Sequence, residues 1–251
     1  MYKIDLNCDL GEGAGADEII IPQITSANIA CGFHAGDSCL MTKTLNLCKG
    51  NEVSAGAHPG YPDKDNFGRT NMFVTPEQVY DFTLYQLGAL SALASVQGIK
   101  LSHIKPHGAM YNMAAKDGEL AYAVAEAVSD FDKDLILLAL SGSEMIKAAK
   151  ETGIKFASEV FADRAYEADG SLRARSLEGS MIEDEDEAIN RVIRMVKERK
   201  VKAFTGEYIP IEAHSVCVHG DGPKAIKFVE LLNKAFIENG IETVSLSEVI
   251  E

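Results

Sequence analysis

Long apolar runs are missing from this 251-residue chain. None approaches the roughly 18 to 20 residues that a membrane-spanning helix requires, so no such helix is expected. The amino-terminal residues read directly as a strand, without a basic stretch leading into an apolar one, so no secretory signal is expected. Positive charge is scarce: 24 Lys and Arg against 38 Asp and Glu leave a formal net charge of −14. That balance argues against nucleic acid or an anionic membrane surface as partner, because both need a basic footprint. An anionic small molecule in a local basic pocket stays compatible with it. The cysteines (Cys8, Cys31, Cys39, Cys48 and Cys217) are odd in number and lack C-x-x-C spacing. They read as buried, reduced thiols of a cytoplasmic protein, and nothing near Cys31 or Cys217 marks a catalytic nucleophile.

Nucleotide and metal signatures are also absent. There is no G-x-x-x-x-G-K-[ST] loop, and the glycines at 11, 13 and 15 do not have dinucleotide-binding spacing. No H-E-x-x-H or H-x-x-x-H helix occurs. Linkers, repeats and low-complexity tracts are missing too, so residues 1–251 read as one α/β domain.

What is present is a series of short apolar runs that end in polar, chemically capable residues. In the first, Ile4, Leu6, Cys8 and Leu10 alternate with Lys3, Asp5, Asn7 and Asp9, which is the period of a strand. Runs ending at His34, His58, Lys105-Pro-His107, Glu159 to Asp163, and His219-Gly-Asp221 follow. Strands are expected near 3–8, 27–31, 53–57, 101–105, 135–140, 156–160 and 215–219, with 201–205 as an eighth or outer strand. Helical periodicity falls between them. Thr75-Pro-Glu-Gln78 is a capping box opening a helix to about Gly98. Asp117 caps 120–128, Ser141 or Ser143 caps 145–150 before Gly153, Asp186 to Arg199 is an amphipathic helix, and a last helix runs from Pro223 to Asn239. Alternating strands and helices imply parallel pairing. The polar alternation inside the first strand favours a closed, TIM-like (β/α) barrel, since strands of a doubly wound sheet are apolar on both faces.

A parallel barrel gathers the carboxyl ends of its strands into one pocket. Asp9, His58, Lys105, His107 and Glu159 are therefore the candidate catalytic residues. Asp9 or a strand-end histidine could activate water, while Lys105 and His107 could stabilise developing negative charge. Asn7, Asn28, His34, Arg69, Tyr111, Asp163, Arg164, His219 and Asp221 are candidate substrate-binding residues. Arg69 and Arg164 sit on the two long loops, with a guanidinium geometry suited to a carboxylate. If a divalent metal such as magnesium is present, Asp9, His34 and His58 are the candidate ligands. His103 lies mid-strand and reads as packed or hydrogen-bonded. Each residue alone also has a plain structural reading: a turn cap at Asp9, a buried ion pair for Lys105 with Asp5 or Glu159, a solvated arginine.

Seven segments, taken together, resemble the LamB/YcsF lactam-utilisation family: D-L-N-C-D-L-G-E (5–12), S-A-N-I-A-C-G-F-H-A-G-D (26–37), G-A-H-P-G-Y-P-D (56–63), F-G-R (67–69), K-P-H-G-A-M-Y-N (105–112), E-V-F-A-D-R-A-Y (159–166) and C-V-H-G-D (217–221). Thr70 departs from the family's frequent second arginine after F-G-R, leaving Arg69 to act alone or with Arg164. The resemblance implies a seven-stranded barrel variant of the glycoside hydrolase/deacetylase group. It also implies the A subunit of an ATP-dependent 5-oxoprolinase, opening 5-oxo-L-proline to L-glutamate with the B and C subunits, and ATP as co-substrate bound mainly by those partners. A homo-oligomer is compatible with the same reading. Two other readings are open: a metal-dependent, ATP-independent amidase or deacetylase, and a non-catalytic lactam-binding subunit.

Overall fold

A computed structural model describes residues 1–218 and 223–251. The strands are β1 (Tyr2–Leu10), β2 (Ser26–Ala30), β3 (Ser54–His58), β4 (His103–Ile104), β5 (Ile136–Leu140), β6 (Lys155–Phe161), β7 (Lys200–Lys202), β8 (Tyr208–Pro210), β9 (Ser215–Val218) and β10 (Ile241–Thr243). The helices are α1 (Asp17–Ile20), α2 (Ser38–Gly50), α3 (Pro76–Val96), α4 (Gly108–Ala114), α5 (Gly118–Phe131), α6 (Glu144–Thr152), α7 (Glu185–Glu198), α8 (Pro223–Glu238) and α9 (Leu246–Ile250). Strands β1 to β6 pair in order, β6 pairs with β9, and β9 returns to β1, all parallel, which closes a seven-stranded barrel. The segment expected near 201–205 is an outer hairpin of β7 with β8, and β10 adds to the amino-terminal half of β1 outside the closed ring. No helix among the described residues is long and apolar enough to cross a membrane.

The alternation in β1 sorts its side chains. Ile4, Leu6, Cys8 and Leu10 join the large apolar core under the helices, whereas Asp5 and Asn7, also buried, turn into the lumen with Asp9 above them. The register puts Asp9 beside Asn28, Gly56 beside His103, and Asp5 beside Ser215. The lumen is thus polar along β1, β2, β4 and β9. Its lower wall on β5 and β6 is apolar: Ile136, Leu138 and Ala157 pack with Leu246 of α9 in a small separate cluster that plugs the floor.

Local signals explain several helix starts. Thr75 forms the capping box with Gln78, and Asp117 Oδ1 accepts from the Glu119 and Leu120 N–H groups. Asp37 does the same for α2, a helix that sequence periodicity did not expose. Ser143 occupies the N-cap position of α6 but makes no capping bond, and α7 starts under Asp184 rather than Asp186. Cys39 is exposed, against the expectation that all five thiols would be buried.

Candidate active site

The carboxyl ends of the strands open into a cavity of about 940 Å³ lined by Asp9, Glu12, His58, Arg69, Lys105, His107, Tyr111, Arg164 and Arg175, among others. Lys105 is the centre of its floor, with only 2% of its surface exposed. Its ammonium lies 2.8 Å from Asp9 Oδ1 and 2.8 Å from Glu159 Oε1, and it donates to Asn7 Oδ1 at 3.2 Å. Burial alone would drive this lysine toward neutrality; the charge of Asp9, helped by Glu159, instead holds it well above its ordinary value. Burial likewise opposes ionisation of Asp9, but His58 and Lys105 hold its carboxyl well below the usual range. Asp9 is therefore a fixed anion. Tyr111 donates its hydroxyl to Glu159 Oε2 at 2.6 Å, and burial pushes that phenol far up.

Asp9 is positioned from beneath. Its Oδ1 accepts from Asn28 Nδ2 at 2.8 Å, and Asn28 also donates to Asn7 Oδ1 at 2.8 Å. The amide is oriented by His103, whose Nε2 lies 2.8 Å from Asn28 Oδ1 while Ser102 Oγ lies 2.6 Å from its Nδ1. Burial pulls His103 down to about 3, so the ring is neutral, with N–H on Nε2 and an accepting Nδ1. Deeper still, Asp5 accepts from Thr25 and Ser26 at 2.7 and 2.6 Å and from Ser215, which itself accepts from Asn7 Nδ2 at 2.7 Å. With no cation beside it, burial raises Asp5 to about 6.

The histidines are set by the loop between β3 and α3. Phe67 takes a left-handed backbone conformation (φ 56°), costly for a non-glycine residue, and its carbonyl lies 2.9 Å from His107 Nε2. Gly68 follows at φ 65°, where an added Cβ would stand 2.6 Å from His34 Cβ, so the loop can close down only on glycine. His58 Nδ1 lies 2.6 Å from the Lys105 carbonyl, while its Nε2 lies 3.3 Å from Asp9 Oδ2 and 2.9 Å from His107 Nδ1. Burial takes His107 down to about 3 and holds His34 far below its ordinary value. His34 stacks on His107 with centroids 3.8 Å apart, and its Nε2 lies 3.3 Å from Glu12 Oε1. Glu12, His34, His58 and His107 bring ligand atoms within 4.8 Å of one another, a group able to hold a metal ion.

Of the sequence candidates, Asp9, His58, Arg69, Lys105, His107, Tyr111 and Arg164 line the cavity. Asn7, Asn28, His34 and Glu159 do not; they lie buried behind it and touch the residues that do. Asp163 is half-buried and also outside the lining, its carbonyl accepting from Ile182. His219 and Asp221 lie outside the described residues. In the metal-ligand group Glu12 and His107 stand with His34 and His58, whereas Asp9 turns to Lys105 and Asn28. Cys217 lies 3.2 Å from Lys105 Nζ, yet burial pushes its thiol well up, and Cys31 reaches about 12 by the same cause, so neither is activated. Two participants escaped sequence reasoning, His103 as the orienter of Asn28 and Arg175 at the rim. Glu12, legible as a carboxylate able to act in acid–base chemistry or hold a metal, is found beside His34 and His107. Glu12 carried a signal, standing three residues beyond Asp9 in the same motif. Arg175 carried none.

The LamB/YcsF family model matches residues 4–251. The A subunit of 5-oxoprolinase from Clostridium beijerinckii is 55% identical, with 99% of this chain and 100% of that protein covered. The crystal structure of a lactam utilization protein from Thermus thermophilus superposes with a TM-score of 0.90 at 42% identity, covering 97% of this chain and 99% of that one. The peptidoglycan deacetylase of Bacillus subtilis, at 9% identity and a TM-score of 0.52 over 99% of this chain and 89% of that one, shares the barrel fold alone. With residues 4–251 matched by the family model and a relative 55% identical over nearly its whole length, the chain belongs to the LamB/YcsF family.

Proposed function

We propose that this chain is the A subunit of a cytoplasmic, ATP-dependent 5-oxoprolinase that opens 5-oxo-L-proline to L-glutamate in the cavity above Lys105. The observation that carries the reading is the Lys105 ammonium, buried between Asp9 and Glu159 and kept charged by them at the floor of a cavity rimmed with arginines. A five-membered lactam is a stable amide, and its cleavage places negative charge on the former carbonyl oxygen. A fixed cation in a dry site stabilises that charge far better than water does. Arg69 and Arg164 supply forks for the substrate carboxylate. His58 Nε2 and Asp9 Oδ2, 3.3 Å apart at the cavity wall, would orient the attacking water. Tyr111 and Glu159 keep Lys105 in position, as Asn7 and Asn28 keep Asp9.

ATP enters as co-substrate: transfer of its γ-phosphoryl group to the lactam oxygen releases ADP and weakens amide resonance. Water then adds at the carbonyl carbon, the ring C–N bond breaks as the nitrogen takes a proton, and a second water hydrolyses the resulting acyl phosphate to carboxylate and phosphate. Because the chain lacks a P-loop, nucleotide contact, with its magnesium, is assigned mainly to the partner B and C subunits. A second reading, an ATP-independent metal amidase, is favoured only by the Glu12, His34, His58 and His107 group.

The test is glutamate release from 5-oxoproline by the chain alone and with purified B and C subunits, with and without ATP. Release only with both partners and ATP is expected. No release in any combination would overturn the reading, and ATP-independent release that stops on chelation would transfer it to the amidase.

A further inference from the structure

His58 and His107 are each tied at one ring nitrogen to a backbone carbonyl, His58 Nδ1 to Lys105 and His107 Nε2 to Phe67. A carbonyl only accepts, so both tied nitrogens carry the hydrogen. The other two nitrogens, His58 Nε2 and His107 Nδ1, face each other across 2.9 Å, and Asp9 Oδ2 lies 3.3 Å from the first of them. Two lone pairs at that distance repel unless a positive centre lies between or beside them. Glu12 Oε1 approaches the same point, 3.7 Å from His107 Nδ1. Tetrahedral coordination with bonds of 2.0–2.1 Å has ligand-to-ligand edges of about 3.4 Å, and these separations bracket it.

We propose that His58 Nε2, His107 Nδ1 and the Glu12 carboxylate form a site for one first-row transition ion of the zinc class, with the remaining position open to the cavity. Two imidazoles and one carboxylate suit zinc, cobalt or nickel; magnesium demands oxygen ligands and near-octahedral geometry. The two backbone carbonyls are the outer partners that fix the tautomer and ring plane of metal-binding histidines. His34 braces the site instead of completing it. Its ring is parallel to that of His107 within 5°, so the in-plane lone pairs of the two cannot converge on one ion, and its Nε2 lies 3.3 Å from Glu12 Oε1. Asp9 gives its Oδ1 to Lys105 at 2.8 Å and, with Oδ2 3.3 Å from His58 Nε2, flanks that histidine without joining the Glu12, His34, His58 and His107 group. A bound ion of this class lowers the pKa of a coordinated water toward neutrality.

The site is tested on the whole chain without partners or substrate, so its failure is separate from failure of the lactam reading. Chelator-stripped protein is titrated with cobalt(II), following visible absorption, and then challenged with zinc and with magnesium. One equivalent of cobalt should bind with the intense bands of a low-coordinate site, zinc should displace it, and millimolar magnesium should not. His58→Gln, His107→Asn and Glu12→Gln should each weaken cobalt binding by about 100-fold or more with unchanged circular dichroism, while Asp9→Asn should stay within about tenfold. Absence of saturable cobalt or zinc binding by the folded wild-type chain would overturn the proposal, leaving a shared proton between the two histidines. Effective competition by magnesium, or loss on Asp9→Asn with Glu12→Gln unaffected, would overturn it as well.

Discussion

Gly56→Ala adds one methyl group to the lumen, and its effect can be worked from the structure. Gly56 faces His103 across the β3–β4 pair, and a Cβ there would lie 2.2 Å from Nε2, 2.3 Å from Cδ2 and 2.5 Å from Cε1 of that ring. Ordinary contact is about 3.5–4.0 Å, so the ring must retreat by more than about 1 Å. It has no free direction along its hydrogen bonds, because Ser102 holds Nδ1 and Asn28 holds Nε2. Overpacking costs about 1–3 kcal/mol, and freeing the buried Asn28 carbonyl adds about 1–3 kcal/mol. A loss of roughly 2–6 kcal/mol is therefore expected in denaturant unfolding, as a lower midpoint at constant m. The functional effect follows from Asn28. Once His103 no longer fixes its amide, the Nδ2 donor to Asp9 is no longer directed, and a misplacement near 1 Å at a reacting group costs about 100-fold in rate. The double variant Gly56→Ala/His103→Ala restores the space, so its stability should exceed the sum of the single effects by about 0.5–3 kcal/mol. Turnover with the partner subunits should stay low, since the orienting ring is gone. Wild-type midpoint and turnover in Gly56→Ala, or strict additivity in the double variant, would refute this reasoning.

Lys105→Met leaves Asp9 and Glu159 without their shared cation and should cost about 3–5 kcal/mol near neutral pH. Wild-type Asp9, held below its unfolded value, lends stability that is present above about pH 4 and lost on acidification. The variant should show the opposite slope, gaining stability as pH falls and its stranded carboxyls protonate; equal melting temperatures at pH 8 would contradict the ion-pair reading. Asp5, raised from 3.8 to about 6, binds its proton more tightly folded than unfolded, so its contribution is complete below about pH 4 and lost as pH rises through 6. That difference is about 3 kcal/mol, and Asp5→Asn should flatten the pH 4–6 segment of the stability profile measured by urea unfolding.

What could be read in advance was whatever depends on near neighbours in the chain. The strand period of Ile4 to Asp9, the capping box at Thr75 and the cap at Asp117 are local, and each stands in the structure. Polar residues at the lumen positions of β1 also pointed to a barrel rather than an open sheet. Long-range relations were illegible. His103 looks like an ordinary packed residue between Ser102 and Ile104; its role exists because Gly56, on another strand, has no side chain. Helix α4 opens on Gly108, at φ 51° with Ala109 N–H bound to the Gly68 carbonyl, a start set by a loop distant in the chain. Glu12 lies beyond the strand, so no periodicity could aim it at His34 and His107.

The division of the lumen explains why so many buried polar groups are tolerated. On the β5–β6 side the floor is closed by apolar contact with α9, and Leu246 is almost wholly buried there. On the β1 side, hydrogen bonds run from Asp5 through Ser215 to Asn7, then to Lys105 and Asp9. A buried network is stabilising only when its members are satisfied, and it is then stiff. The members share partners, with Lys105 Nζ serving Asn7, Asp9 and Glu159 and Asn28 Nδ2 serving Asn7 and Asp9, so rotating one amide disturbs the next. Asp5 is thus structurally remote from the cavity but coupled to it. Protonating its Oδ2 would turn the acceptor of the Ser215 hydroxyl into a donor, so Ser215 would have to redirect its own hydrogen while still accepting from Asn7 Nδ2. The stiffness that aims Lys105 and Asp9 is also what makes the mouth sensitive to a titration at the floor.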